Sequence, residues 1–478
     1  MAKTKKKKFM LTSFSIIMLI IIFLAVLSHF LPSAQFIEGE LVNGSGVTGA
    51  KLSDVLLAPI LGFADAVDVA IFIIMLGGLL KVVESTKALE TGIKVLIKKL
   101  KGKELLLIPI LMFIFSIAGT TYGMLEETVA FYALLAATMV MVGMDTIVSS
   151  AIVLLGAGVG VLGSTINPFA VGAAISALPE GIQVNQGFVI GIGAILWILS
   201  YIVATSFVIK YAAKVKADKG STFLSLREQK AMEKKFVKEK DDKEVKLTGK
   251  QKATLLLFGF AFLIMILGFI PWGEFGITMP SFTGFLTGAV LGDWWFFEAA
   301  TWFLIVAIII AIVNKTGEKN FIDIFVDGAD DMLGVIMIIA VARGASVLME
   351  VTHLDNYIIY NAAEFLNGMP AILYAPLNYI LHVVLSILVP SSSGIATLST
   401  PIMAPLTQTL GFSVETNIMI LVAANGLVNL ITPTCGAIMG GLALAKVEYS
   451  TWFKWSFKVV LSLAAVSIVV LTLFMCIL

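Results

Sequence analysis

The chain has 478 residues, of which 59% are hydrophobic and only 14% charged, with a mean hydropathy of +0.99. A soluble domain carries about 25% charged residues, so the composition points to a membrane protein. A net charge of +1 suggests no nucleic-acid partner, and the two cysteines, Cys435 and Cys476, give no disulfide framework.

The N-terminus reads Met-Ala-Lys-Thr-Lys-Lys-Lys-Lys, followed by an apolar run from Phe9 to Leu31. That run is too long for the apolar core of a signal peptide, and no small-residue cleavage site closes it cleanly. We read it as the first transmembrane helix, with its basic end in the cytoplasm. A second span covers 66–83. A hairpin occupies 104–142 and turns near 119–123; a broken helix at 146–178 and a span at 187–209 follow. The charged stretch 210–252 is the one obvious linker. Beyond it, 253–270 and 296–313 cross, with a shorter apolar piece between them. Then come a span at 330–350, a hairpin at 371–408, a broken helix at 415–446 and a last span at 453–478.

The expectation is an all-α integral membrane protein with about 9–12 spans of about 20 residues each. It divides into an N-terminal half, 1–209, a cytoplasmic loop, 210–252, and a C-terminal half, 253–478. Basic residues set the orientation. Lys87, Lys94, Lys98, Lys99, Lys101 and Lys103 cluster before the first hairpin, and Lys210 to Lys252 hold a richer cluster. Lys315 and Lys319 mark a third. The segments 179–186, 271–280 and 351–370 contain neither Lys nor Arg. The basic loops are placed in the cytoplasm and the others outside.

One pattern occurs twice. Gly-Thr-Thr-Tyr-Gly at 119–123 and Gly-Ser-Thr-Ile-Asn-Pro at 163–168 lie in the first half. Pro-Ser-Ser-Ser-Gly at 390–394 and Leu-Ile-Thr-Pro-Thr-Cys-Gly at 430–436 lie in the second. Both copies put small, polar, helix-breaking residues inside long apolar stretches. Lipid offers no partner for free backbone groups, so such breaks survive only where protein buries them or a watery cavity receives them. Ala64-Asp65 matches Ala329-Asp330, and Leu89-Glu90 matches Leu354-Asp355, at a common offset. With 87–103 inside and 351–370 outside, the repeats are inverted in the membrane, an architecture of secondary transporters.

The candidate site follows from the breaks. Thr120, Thr121, Ser391, Ser392 and Ser393 offer hydroxyls at the hairpin turns. Asn167 before Pro168, and Thr432 and Thr434 around Pro433, interrupt the helical ladder, because proline has no N–H. Half-helix N-termini suit anions and carbonyl ends suit cations. Glu126 and Glu127 sit just past the first turn. Arg343, one of only two arginines with Arg227, lies about 20 Å along the 330–350 span. Ionisable residues at that depth default to function. We assign Thr120, Thr121, Glu126, Glu127, Asn167, Ser391, Ser392, Ser393 and Thr434 to substrate binding. Ser164, Thr165, Asn425 and Thr432 are candidates for coupling to Na+ or H+. Arg343 is either a carboxylate anchor or one half of a structural ion pair.

Two motifs mislead. Gly158, Gly160 and Gly163 match a dinucleotide fingerprint, but that motif needs a strand and a βαβ unit; in an apolar helix glycines serve close packing. Ser391–Ser393 with His382 suggest a serine hydrolase, yet nine helical residues separate Ser391 and His382 by about 13 Å. There is no P-loop, and the three histidines are scattered. No catalytic residue, cofactor or metal site is expected.

Several stretches together resemble the YfcC-like family. They are Gly-Met-Leu-Glu-Glu-Thr-Val-Ala-Phe-Tyr (123–132), Gly-Val-Leu-Gly-Ser-Thr-Ile-Asn-Pro-Phe-Ala (160–170), Pro-Ser-Ser-Ser-Gly (390–394), Leu-Ile-Thr-Pro-Thr (430–434) and Ala-Lys-Val-Glu-Tyr-Ser-Thr-Trp-Phe-Lys-Trp (445–455). That family is related to the anaerobic C4-dicarboxylate carriers of the ion transporter superfamily. The resemblance implies a bacterial inner-membrane carrier, often a homodimer, in which a domain bearing two re-entrant hairpins moves as an elevator. It implies a small-molecule substrate: a basic amino acid, as in arginine–ornithine exchange, or a C4-dicarboxylate. The family often carries Asp where this chain has Asn425, and Lys or Gln where it has Ile395.

Overall fold

A computed structural model describes residues 13–37, 40–42, 44–92, 95, 102–237, 246–270, 272–389 and 391–478. The N-terminal basic run, Lys94, Lys98, Lys99, Lys101, residues 238–245 of the charged loop and Pro390 lie outside them. The regular elements of the described chain are helices, apart from a short antiparallel pairing of Phe36–Ile37 with Glu40–Leu41 and an isolated bridge between Ser33 and Val47.

In the first half the helices are α1 (Ser13–Ser28), α2 (Leu52–Asp65), α3 (Val67–Ser85), α4 (Leu107–Tyr122), α5 (Phe131–Met141), α6 (Thr146–Leu162), α7 (Ala173–Ser176) and α8 (Gln186–Ala217). The charged loop holds α9 (Leu226–Phe236). The second half continues with α10 (Gly249–Phe269), α11 (Phe296–Asn314), α12 (Glu318–Thr352), α13 (Leu354–Leu366), α14 (Ala371–Leu388) and α15 (Ser392–Thr409). It ends with α16 (Val414–Val428), α17 (Gly436–Ala445) and α18 (Tyr449–Ile477). Among the described residues, seven helices are long and apolar enough to cross a bilayer, and the bent pair α2–α3 makes eight. The remaining expected crossings fall on α1 and on the two interrupted pieces, α6–α7 and α16–α17, whose parts are shorter.

The second expected span is longer than the sequence suggested, because α2 precedes it and joins it at a 58° bend. The 330–350 span is the inner part of a 35-residue helix, α12, about 52 Å long. The apolar piece at 272–295 is mostly turns and two short 3-10 segments, Trp272–Phe275 and Ser281–Gly284.

The helices pack as two groups. In one, α12 lies against α1, α2 and α3, α3 packs on α11, and α10 packs on α11. In the other, α4, α5, α6 and α8 pack together with α14, α15, α16 and α18. The groups meet chiefly where α12 crosses α17 and where α3 touches the turn at 126–130. Tyr122 also stacks on Phe269 of α10, with ring centroids 5.4 Å apart. Within the second group one order of elements occurs twice: helix, tip, helix, broken helix, long helix.

The centre of that group explains its sequence. Every residue of α6 is buried, and so is all of α16 except Glu415. A helix that is apolar all round belongs in a core. The outer helices behave differently. Ile110, Phe113, Ile114 and Ile117 are exposed on one face of α4, and Ile195, Ile198, Leu199 and Ile202 on one face of α8. Spaced at helical intervals on the molecule's exterior, they form the surface that lipid covers.

The glycines of the false fingerprint serve backbone contact. A Cβ on Gly160 would stand 2.2 Å from the Ser116 carbonyl oxygen, and one on Gly119 would stand 2.1 Å from that of Ala157. Helices α4 and α6 therefore touch backbone to backbone.

The charged loop is more than a linker. Asp145 caps α6 by accepting from the Ile147 and Val148 amides at 3.1 and 3.0 Å, and it also accepts from Tyr211 and Thr222, each at 2.6 Å. Glu228, buried in α9, accepts from the Glu448 amide at 2.8 Å and from the Thr451 hydroxyl at 3.0 Å. The loop is thus tied down on α6 and on the start of α18.

Gly160→Ala should lower thermal stability in detergent by about 1–3 kcal/mol, the range for overpacking a tight contact. Gly259→Ala is the control. It lies inside α10 with nothing within 4 Å of a new Cβ, and it should be neutral or stabilising by about 0.5–1 kcal/mol. Equal melting temperatures for the two variants would refute the close α4–α6 contact.

Candidate functional site

Each hairpin tip is hydrogen-bonded to the helix break of its own half. In the first half, α4 ends at Gly123, whose φ of 78° is left-handed; a Cβ there would meet the Asn167 Oδ1 at 2.6 Å. The Thr120 hydroxyl donates to the Gly163 carbonyl at 2.7 Å, and the Thr120 carbonyl accepts from the Thr165 amide at 2.8 Å and the Thr165 hydroxyl at 3.1 Å. Asn167 caps the turn after Pro168, accepting from the Phe169 and Ala170 amides at 2.9 and 3.3 Å. Its Nδ2 donates to the Ser164 hydroxyl at 2.9 Å.

In the second half, Ser391 caps α15 by accepting from the Gly394 amide at 3.1 Å. Ser392 donates to the Asn425 Oδ1 at 2.7 Å, and the same oxygen accepts from the Asn429 Nδ2 at 3.0 Å. Thr434 donates to the Ile387 carbonyl at 2.9 Å and shares a 2.7 Å hydrogen bond with Thr432. The two broken helices also cross: a Cβ on Gly426 would stand 2.5 Å from the Leu162 Cα.

Between the two helix groups lies a cavity of about 230 Å³ that both tips reach. One wall is Gly123, Leu125, Glu126, Glu127 and Phe169, with Ser391, Ser392, Ser393, Asn429 and Thr434. The facing wall includes Asp65, Asp68, Trp295, Ile339 and Arg343. Of the expected residues, Glu126, Glu127, Ser391, Ser392, Ser393, Thr434 and Arg343 line this cavity. Thr120, Thr121, Ser164, Thr165, Asn167, Asn425 and Thr432 do not. The Thr121 hydroxyl turns back to the Ile117 carbonyl at 2.7 Å, and the others form the tip-to-break junctions behind the wall.

The adjacent glutamates divide their work. Glu127 is buried and its Oε2 accepts from the Leu125 amide at 3.0 Å, which shapes the tip. Glu126 is half-buried beside the cavity. Arg343 faces Asp65 with 3.6 Å between Nη1 and Oδ2. Asp68 accepts from the Trp295 Nε1 at 3.1 Å, and the Trp295 ring lies 4.4 Å from that of Phe169. The polar ends of α15 and α17, Ser392–Ser393 and Gly436, also face the cavity, so two N-terminal dipoles add positive potential there. Asp65, Asp68 and Trp295 escaped the sequence reading. The two aspartates had a signal, since Ala-Asp-Ala-Val-Asp (64–68) puts two acids inside an apolar stretch.

His382 settles the hydrolase motif. Its Nε2 shares a 2.7 Å hydrogen bond with Ser399 and its Nδ1 a 2.9 Å bond with the Asn378 carbonyl, with His382 and Ser399 both fully buried. It serves α14–α15 packing and does not reach the tip serines.

Ser393→Ala and Thr121→Ala should differ. Both remove a hydroxyl, but only Ser393 lines the cavity, and its hydroxyl, unlike that of Ser392, is not given to Asn425. Ser393→Ala should weaken substrate binding by about 0.5–1.5 kcal/mol, the worth of one hydrogen bond. Thr121→Ala should leave the dissociation constant unchanged. Isothermal titration or radioligand binding on purified protein checks both, and equal losses would count against the assignment of the cavity.

The chain is similar to several known proteins. An uncharacterized protein of Haemophilus influenzae is 30% identical over 405 residues, covering 84% of this chain and 74% of its own length. YfcC of Escherichia coli, a proposed basic amino acid antiporter, is 25% identical over 403 residues, covering 82% and 74%. Among solved structures, the YdaH transporter of Alcanivorax borkumensis aligns with a TM-score of 0.45 at 15% identity, over 97% of this chain and 98% of its own. MtrF of Neisseria gonorrhoeae aligns with a TM-score of 0.45 at 14% identity, over 98% and 96%. The profile of the C4-dicarboxylate anaerobic carriers matches residues 10–476. The chain belongs to that DcuC family and is a membrane transporter.

Proposed function

We propose that the protein is a secondary active transporter of the bacterial inner membrane that exchanges basic amino acids, such as arginine and ornithine, by alternating access. The charge of the cavity carries this reading: Asp65, Asp68 and Glu126 line it with a single guanidinium, Arg343, while Glu127 is buried with its carboxyl bonded to the Leu125 amide. Three carboxylates against one cation favour a substrate with net positive charge. Glu126 receives the positive group, while the Ser393 hydroxyl and the starts of α15 and α17 add donors for carboxylate oxygens. The second helix group, with its two tips and two breaks, is the moving part, and the group around α12 is the scaffold. Exchange follows from the same charges. An empty cavity keeps its uncompensated acids and resists being drawn past the scaffold, whereas a loaded one is closer to neutral.

A second reading is a C4-dicarboxylate carrier, coupled to Na+ or H+ or working by exchange. The family match and Arg343 favour it.

Glu126→Gln decides between them. On the amino acid reading it should weaken arginine and ornithine binding by about 1–3 kcal/mol, the range for losing a charged hydrogen-bond partner. Succinate binding without any response to arginine, lysine or ornithine would establish the dicarboxylate reading instead. If sodium couples, it should raise substrate affinity by the same factor by which substrate raises sodium affinity.

The orientation belongs to the proposal: N-terminus and 210–252 in the cytoplasm, 351–370 outside, with inverted repeats in a homodimer. In a background lacking Cys435 and Cys476, a cysteine at Asn361 should react with impermeant maleimide in intact cells, and one at Ser221 should not. The reverse pattern would overturn the inverted repeat.

A further inference from the structure

The Arg343–Asp65 pair differs from a helix-holding ion pair. A structural Arg–carboxylate pair inside a protein is typically short and bidentate, with N···O distances of about 2.7–2.9 Å. Here the one ion-pair contact is 3.6 Å long, Arg343 is 24% exposed and Asp65 50% exposed, and both side chains line the cavity. The helices carrying them are already locked by other means. A Cβ on Gly62 of α2 would stand 2.3 Å from the Ala340 carbonyl oxygen, and one on Gly344 of α12 would stand 2.7 Å from that of Ala58. The two backbones are thus in direct contact, and the pair is not needed to bring α2 and α12 together. Asp65 also sits at the 58° elbow between α2 and α3, a joint that presents its carboxylate to the cavity.

A positive and a negative group side by side on one cavity wall match the two charges of an amino acid's head. We propose that the Arg343–Asp65 pair is the recognition element for the zwitterionic end of the substrate. On binding, the pair opens, Arg343 takes the α-carboxylate and Asp65 takes the α-ammonium. Arg343 can do so in bidentate fashion, because a guanidinium presents donors in a fixed fork. The remaining acids face the distal cationic group: Glu126 from the tip, with Asp68 beside the Trp295 ring. The inference rests on the amino acid reading and adds to it a rule of selection. The substrate must carry both head charges, so decarboxylated diamines and dicarboxylates are both rejected, the first by Arg343 and the second by the acids.

The test uses the full-length protein in detergent or nanodiscs. Binding of L-arginine, L-ornithine, Nα-acetylarginine, agmatine, putrescine and succinate is compared in the wild type, Arg343→Gln, Arg343→Lys and Asp65→Asn. The wild type should prefer arginine and ornithine over agmatine and putrescine. Arg343→Gln should weaken arginine about 10- to 100-fold, the effect of losing a charged hydrogen-bond partner, and should leave agmatine unchanged or tighter, since a repelling cation is gone. Arg343→Lys should recover part of the arginine affinity, which separates lost charge from misfolding. Asp65→Asn should weaken arginine but not Nα-acetylarginine, which has no α-ammonium. If arginine binds the wild type and Arg343→Gln depresses arginine and agmatine alike, the pair is structural and this proposal falls while the amino acid reading stands. If the wild type binds succinate and none of the amino acids, the amino acid reading itself falls, and the proposal with it.

Discussion

Helices interrupted at membrane depth must satisfy their own backbone groups inside the protein, because lipid offers no partner. The rest of this fold depends on how that is done. Each tip is laid against the break of its own half, so that the groups one leaves open the other closes. Thr120 and Thr165 exchange bonds in the first half; Ser392, Asn425, Thr434 and the Ile387 carbonyl do so in the second. The junctions need close backbone approach, and the glycines at 119, 160 and 426 provide it. They also need shelter, which is why α6 and α16 are buried on nearly every side. A cluster of polar groups in the middle of a membrane protein is thus the direct consequence of breaking helices there.

That economy explains which part of the site the sequence revealed. The breaks and tips were legible, because proline, glycine and hydroxyl residues stand out against apolar runs. Their division of labour was not. A serine that caps a helix, a threonine that bonds back to its own carbonyl and a residue that faces a ligand look alike in one dimension. Thr121 and Ser392 differ only in where their hydroxyls turn, and Asn167 proved to be a cap, with its amide nitrogen engaged by Ser164. Asp65 and Asp68 were readable by the rule that flagged Arg343, acids inside an apolar stretch, and the bend that presents them was not. Glu228 tells the same story in the loop. Its capping box with Ser225 is written in residues three apart, whereas its bonds to Glu448 and Thr451 join residues far apart in sequence.

The junction hydroxyls are spoken for, and this shifts the burden of recognition. A ligand that took Thr120, Thr165 or Asn425 would have to break the bonds that keep the breaks closed. Groups of the cavity wall can be recruited without that loss: Glu126, Arg343, Asp65 and the starts of α15 and α17. On the proposed reading the site therefore separates a rigid polar frame, which holds two interrupted helices in shape, from a sparse set of charges, which choose the ligand.

The charges sit on both sides of the boundary between the helix groups, and this placement links binding to movement on the proposed reading. On that reading Glu126 travels with the tips, and Asp65, Asp68 and Arg343 stay with α12 and its neighbours. Sliding one group past the other changes every distance between these sets, so the energy of the empty cavity varies along the path. Like charges brought together in a medium poorer in water than the surface repel strongly. A cationic substrate placed between the two walls lowers that repulsion, and its own two ends supply partners to groups that would otherwise face only each other. On the proposed reading, substrate charge then does two things at once: it holds the ligand, and it smooths the path along which the ligand is carried.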